Sequence, residues 1–223
     1  MKKRLPEGSG LYDETLEAYC TQHSSAEPPW LTSLQRLTFL RHTHGRQMSG
    51  HLQGRFLSLL SKMVKPSLVL DIGTFTGYSA LCFAEGLATG GKVITIEADE
   101  ENETLIREAI HSSPYASVVQ PVIANALEWL EKHPEIHPDL VFLDADKRNY
   151  PHYLNKLIPM MLPGSLLLAD NTLWNGKVVD PQEREDDVDT RTLHRFNAVA
   201  SSHAAFDTVL LPLRDGLTLM RRR

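Results

Sequence analysis

Five short runs at 68–72, 92–97, 117–123, 140–144 and 165–169 are apolar almost throughout, and each is separated from the next by a helical pattern. Runs of this length, rich in Val, Ile and Leu, suit strands covered on both faces. Their alternation with amphipathic segments is the mark of βαβ units around a parallel sheet. Two further apolar runs at 206–211 and 217–222 are joined through Pro212-Leu213-Arg214-Asp215-Gly216, which predicts a hairpin. The expected architecture is therefore α/β and Rossmann-like: a seven-stranded, mostly parallel sheet with an antiparallel C-terminal edge strand.

Before Lys65-Pro66 the pattern is helical, at 11–19, at 29–40 behind a proline pair, and at 52–64. We take 1–64 as a helical lead-in to a core at 65–223, both parts of one domain, since 223 residues leave little room for two. The formal net charge of −5 argues against a nucleic-acid partner, which needs a basic surface. Cys20 and Cys82 stand outside any CxxC spacing and suit a reducing cytoplasm. The start MKKRLPEGSG lacks the apolar stretch of a signal peptide, and no run is long enough to span a membrane. Glu183, Glu185, Asp186, Asp187 and Asp189 read as a solvated loop entering a helix near Thr190, with a mobile lid as the alternative, and Arg221 to Arg223 as a solvated tail. His42, His44 and His51 read as surface residues of the lead-in.

The first strand ends in Asp71 and passes through Gly73-Thr74-Phe75-Thr76-Gly77 into a helix, which places a ligand at the strand's carboxyl end. Gly73 and Gly77 permit close backbone approach, while Thr74, Thr76 and Ser79 offer hydroxyls. The spacing is DxGxxxG and not the GxGxxG of dinucleotide sites, so a ligand without a pyrophosphate is favoured. Glu97, ending the second strand, can accept from both hydroxyls of a ribose. Asn125-Ala126 follows the third strand, where it either edges a base or simply starts a helix.

The fourth and fifth strands end in Asp144-Ala145-Asp146-Lys147 and Asp170-Asn171. Adjacent parallel strands bring both ends to one rim, where Asp144, Asp170 and Asn171 offer hard oxygen ligands for Mg²⁺, Mn²⁺ or Ca²⁺ rather than zinc. Single carboxylates at such positions also serve as helix caps. Lys147 can reach a hydroxyl bound there, and Trp174 either flanks a substrate or belongs to the core.

With these residues in place, the chain resembles the cation-dependent O-methyltransferase family that includes the caffeoyl-CoA and catechol enzymes. The likeness spans about 48–222 and is carried by MSGHLQGRFLSLL, DIGTFTGYSALCFA, FLDADKRNYPHY, ADNTLWNGKVV and LPLRDGLTLMRR. It implies a class I methyltransferase fold. It also implies S-adenosylmethionine contacts at Asp71, Gly73, Thr74, Ser79, Glu97 and Ala126, with Ser49, Asp144, Asp146 and Tyr153 completing the pocket. Asp144, Asp170 and Asn171 match the family's metal ligands, Lys147 its general base, acting beside Asp144. A homodimer and a small catechol-like or vicinal-diol acceptor follow from the same likeness. A caffeoyl-CoA-type thioester is the alternative acceptor, and a non-catalytic nucleoside-binding module the alternative class. Three departures stand out: Gln53 where many relatives carry Glu, and Arg148 and Pro151 after DADK. No acyl-CoA-binding lysine is identifiable in 1–51.

Overall fold

The computed structural model describes residues 14–43, 45 and 48–223. Residues 11–13 of the first predicted helix, and His44, lie outside the described residues. The lead-in comprises α1 (Glu14–Gln22), α2 (Pro29–Arg41) and α3 (Gly50–Val64). Pro29 opens α2, where its missing N–H is not needed, and α3 ends at Lys65, whose left-handed φ of 53° and following Pro66 stop the helix. Helix α3 packs on α4 (Tyr78–Ala84) at Gly54, where an added Cβ would stand 2.6 Å from the Tyr78 ring. Leu31, Leu34 and Leu57 are buried in that contact region.

The strands are β1 (Leu68–Ile72), β2 (Lys92–Glu97), β3 (Val119–Ile123), β4 (Leu140–Leu143), β5 (Leu166–Asp170), β6 (Phe206–Leu211) and β7 (Leu217–Arg222), in the order β3-β2-β1-β4-β5-β7-β6. Pairings from β3 across to β5 are parallel, and β7 pairs antiparallel with both β5 and β6. The antiparallel strand is thus β7, one place in, with β6 completing the edge. Among the described residues, α5 (Glu103–His111), α6 (Ala126–Lys132), α7 (Tyr150–Leu157), α8 (Pro181–Asp186) and α9 (Val188–Ser202) fill the connections.

Both faces of the sheet are covered, which is why its strands are apolar at successive positions. Leu70, Ile72, Val141 and Leu143 face a core with Tyr150, Leu154 and Phe196, whereas Val69, Leu140 and Phe142 face one with Phe83 and Leu57. Each fully buried Leu or Phe contributes about 1.5–3 kcal/mol of transfer free energy.

Some boundaries differ from the sequence expectation. The third strand begins at Val119 because Tyr115 to Val118 form a turn, with the Val118 N–H on the Tyr115 carbonyl at 3.0 Å. The acidic stretch is largely helical: Asp180 caps α8 through the Gln182 N–H, and Pro181 takes the first helical position. The next helix starts at Val188, capped by Asp187 through the Asp189 and Thr190 N–H groups. No helix among the described residues is long and apolar enough to cross a membrane. The order reverses between β1 and β4, so their carboxyl ends diverge into a crevice, the usual ligand position in such a sheet.

Candidate active site

A cavity of about 1280 Å³ opens at this crevice. It exceeds the roughly 300–1,000 Å³ of a single small-ligand site, so it has room for two molecules side by side. One end lies over β1, β2 and β3, the other over β4, β5 and the loop before β7.

At the first end, the turn after β1 is pressed against the neighbouring strand. Gly73 has φ 102°, and a Cβ there would fall 2.1 Å from the Asp144 carbonyl oxygen. The Gly73 and Thr74 N–H groups donate to the Ile96 carbonyl at 2.9 and 3.2 Å, tying the turn to β2. Asp71 is fully buried and accepts from Thr95 Oγ1 at 2.6 Å and Ser79 Oγ at 3.2 Å. Burial pushes its carboxyl up to about 7 despite those hydrogen bonds. Asp71 therefore braces the turn from beneath and is not among the residues lining the cavity. Ser49, Gly73, Thr74, Ser79 and Asp144 line a second, much smaller pocket of about 10 Å³, which shares Gly73 and Asp144 with the main cavity. Glu97 lines the main cavity and accepts from the Phe75 N–H at 2.6 Å and the Asp99 N–H at 2.9 Å; burial raises its pKa. Asn125 caps α6 through the Glu128 N–H at 3.2 Å, as the helix-start reading has it, and it and Ala126 also line the cavity. His42 departs from the surface reading: it lines the cavity and meets Phe75 edge-on at 4.5 Å. His51 is half-buried, with Nδ1 3.9 Å from Glu27.

The second end is dense in charge. Lys147 donates to Asp144 Oδ1 at 2.7 Å and to the Tyr150 hydroxyl at 2.8 Å. Tyr150 is fully buried, and its hydroxyl lies 3.0 Å from the Leu143 carbonyl and 2.9 Å from that of Asp170, joining the ends of β4 and β5. Asp146 accepts from the Tyr153 hydroxyl at 3.0 Å, and both line the cavity. Asp170 is 2% exposed, accepting from Gln53 Nε2 at 2.6 Å and from the Asn171 N–H at 2.8 Å. Burial, then the Asp144 charge, pushes its pKa up. Asn171, Trp174 and Asn175 have φ of 58°, 49° and 53°, a conformation costing roughly 1–2 kcal/mol per residue for L side chains. The 212–216 connection holds them there: the Asp215 carbonyl accepts from the Leu173 and Trp174 N–H groups at 2.8 and 3.3 Å, and the Asp215 side chain from Asn175 N–H. Arg214 donates to the Met48 and Ser49 carbonyls, fixing the segment before α3.

A divalent cation suits this wall on the chemistry of its donors. Asp144, Asp170 and Asn171 line one cavity, two carboxylates and a carboxamide, all hard oxygens. Lys147 Nζ already stands 2.7 Å from Asp144 Oδ1 there. Among the described residues, no group of three His, Cys, Asp or Glu side chains is placed to hold a metal ion, and the third donor of this set is an amide, that of Asn171.

Sequence reasoning set Asp144, Lys147, Asp170 and Asn171 at one rim, and the family likeness put Asp146 and Tyr153 in the cofactor pocket; all six line the one cavity. That reasoning missed Tyr150, which in a helical apolar pattern looks like any core aromatic. It also missed Thr95, whose inward hydroxyl is invisible in an apolar strand, and Arg214 and Asp215, hidden in a hairpin connection.

A seven-stranded sheet of this order with the cavity at its switch point is the fold of class I methyltransferases. A Podospora anserina methyltransferase, solved bound to SAH, is 26% identical, with full coverage of both chains and a TM-score of 0.88. A putative O-methyltransferase from Klebsiella pneumoniae is 28% identical over 94% of this chain and 96% of its own, with a TM-score of 0.84. In sequence, caffeoyl-CoA O-methyltransferase 1 of Nicotiana tabacum is 31% identical over 99% of this chain and 94% of its own. The model of the O-methyltransferase family matches residues 21–223. The chain belongs to that family of class I S-adenosylmethionine-dependent enzymes, which sets aside a non-catalytic binding module.

Proposed function

We propose that the protein methylates one hydroxyl of a small catechol-like or vicinal-diol acceptor, with Mg²⁺, Mn²⁺ or Ca²⁺ held by Asp144, Asp170 and Asn171. The observation that carries this reading is the shared cavity, with Gly73, Glu97 and Ala126 at one end and Asp144, Lys147, Asp170 and Asn171 at the other. S-adenosylmethionine, held by Ser49, Gly73, Thr74, Ser79, Glu97, Ala126, Asp146 and Tyr153 over the Asp71 brace, supplies an electrophilic methyl. A divalent cation supplies charge that favours ionisation of the acceptor hydroxyl. Lys147, anchored by Tyr150, takes the hydroxyl proton, and Asp144 orients the lysine. Trp174 and the braced loop after β5 wall the acceptor and fix its angle to the methyl donor.

Activity stripped by EDTA and restored by Mg²⁺ or Mn²⁺ is the expected result. Full turnover after confirmed metal removal ends the cation-assisted reading. A panel of catechol, caffeate, caffeoyl-CoA and monophenols, with labelled donor, identifies the acceptor, and equal rates for monophenols and diols rule out two-point binding. The caffeoyl-CoA relatives favour a thioester as second reading. We further propose a homodimer, supported by exposed Leu16, Tyr19, Leu59 and Met63 on α1 and α3. A monomer in light scattering overturns it. A cytoplasmic location is supported by Cys20 and Cys82, both free thiols.

A further inference from the structure

Gln53 is 1% exposed on α3, and its Nε2 donates to Asp170 Oδ2 at 2.6 Å across 117 positions of sequence. Its Oε1 is buried with no hydrogen-bond partner. A buried, unsatisfied amide oxygen is a liability that an apolar side chain of the same length would not carry, so packing alone gives no reason for an amide here. The other end of the amide supplies one. Asp170 receives donors from two directions, Asn171 N–H on Oδ1 and Gln53 Nε2 on Oδ2. Two of about four lone-pair positions of a carboxylate are thereby taken and its plane is fixed, leaving the others to face the cavity that Asp170 lines. The helix is brought close enough for this by Gly54, the next residue, whose missing side chain lets α3 lie against Tyr78.

We propose that Gln53 is a positioning residue for the cation: it orients the Asp170 carboxylate from behind, and being neutral it does so without adding a third negative charge to Asp144 and Asp170. Outer partners of ligating carboxylates act in this way, and their loss commonly weakens metal affinity 10–100-fold. The inference rests on the cation-dependent reading above and assigns a role that the three ligands do not cover.

The test is calorimetric titration of Mn²⁺ and, separately, of S-adenosylhomocysteine into metal-free full-length protein, alongside melting curves, for wild type, Gln53→Met and Gln53→Glu. Gln53→Met, isosteric and without a donor, should raise the Mn²⁺ Kd about 10–100-fold. It should leave the S-adenosylhomocysteine Kd within about threefold and the chelator-stripped Tm close to wild type, because loss of the donor to Asp170 is offset by removal of the orphaned oxygen. In turnover the Mn²⁺ concentration for half-maximal rate should rise, with kcat at saturating Mn²⁺ largely kept. Unchanged Mn²⁺ affinity, or a parallel loss of Mn²⁺ binding, S-adenosylhomocysteine binding and Tm, overturns the proposal in favour of ordinary packing. Gln53→Glu decides independently: set against Asp170 it should lower the stripped Tm and gain more from Mn²⁺ than wild type does, and an equal gain overturns the proposal. Wild type that binds no Mn²⁺ brings down the cation-dependent reading and this role with it, whereas binding by wild type and Gln53→Met alike removes this role only.

Discussion

The two ends of the cavity are built from different materials. The end over β1, β2 and β3 is mostly backbone and small hydroxyls: Gly73 and Thr74 tied to Ile96, Thr74 against Thr95, and two lining carboxylates, Asp99 and Glu97, the latter already held by two N–H groups. The end over β4 and β5 concentrates ionisable side chains, with Asp144, Asp146, Lys147 and Asp170 within a few residues of two strand ends. Binding spread over many neutral contacts tolerates the loss of any one, whereas a centre made of opposed charges loses its balance when one is removed. The first end is thus suited to affinity, the second to chemistry.

The contrast breaks most visibly at the charged end. Lys147→Ala should lower kcat by about 10²–10⁴, the range for a lost acid-base group, with donor binding spared; raising the pH should recover part of the rate by ionising the acceptor without a base. A rate unaffected by the substitution at neutral pH removes Lys147 from the proton transfer. Asp144→Ala should cost about 10²–10³ in kcat, and titration of S-adenosylhomocysteine should show a far smaller change. If cofactor affinity falls as steeply as rate, the two ends are not separable. At the neutral end, Glu97→Ala should weaken cofactor binding roughly tenfold, while single-turnover rates at saturating donor stay near wild type. An unchanged Kd refutes its assignment to the nucleoside.

The smallest effect concerns stability. Asp71, at 3.8 when unperturbed, is held up to about 7 by burial, so the fold prefers its protonated form. Its contribution is complete below the unfolded pKa and is lost as pH rises through about 7. Melting curves of the metal-free protein from pH 5 to pH 8 should therefore fall more steeply for wild type than for Asp71→Asn. Parallel slopes would mean that Asp71 is already ionised in the folded chain.

The charged end was far more legible in the sequence than the neutral one. Asp144, Lys147, Asp170 and Asn171 stand at the ends of uninterrupted apolar runs, where a charged or amide residue is conspicuous, and parallel pairing follows from the alternation with helices. Asp71 was equally conspicuous, but whether it faced the cavity depended on which face of β1 the adjacent helix covered, and period alone does not settle that. Tyr150 was hidden for the opposite reason. It lies on the amphipathic helix α7, where an aromatic fits the pattern without remark, whereas Gln53 on α3 stood out against the family pattern but with nothing to show its partner. The Asp215 contacts were hidden by distance along the chain, since they join residues about 40 positions apart. The α8 helix was missed because its acidic composition outweighed its start signals, Asp180 and Pro181.

The contact between Gly73 and the Asp144 carbonyl has a bearing on how such a protein can diversify. With no space for even a methyl group between the two turns, a side chain at residue 73 displaces Asp144, the partner of Lys147. The backbone there works as a fixed spacer between the two ends of the cavity, much as a gauge block sets a gap on a machine bed. Trp174, Asn175 and Arg148, which line the same cavity from the outer loops, stand outside that contact, so their side chains can change while the gap stays the same.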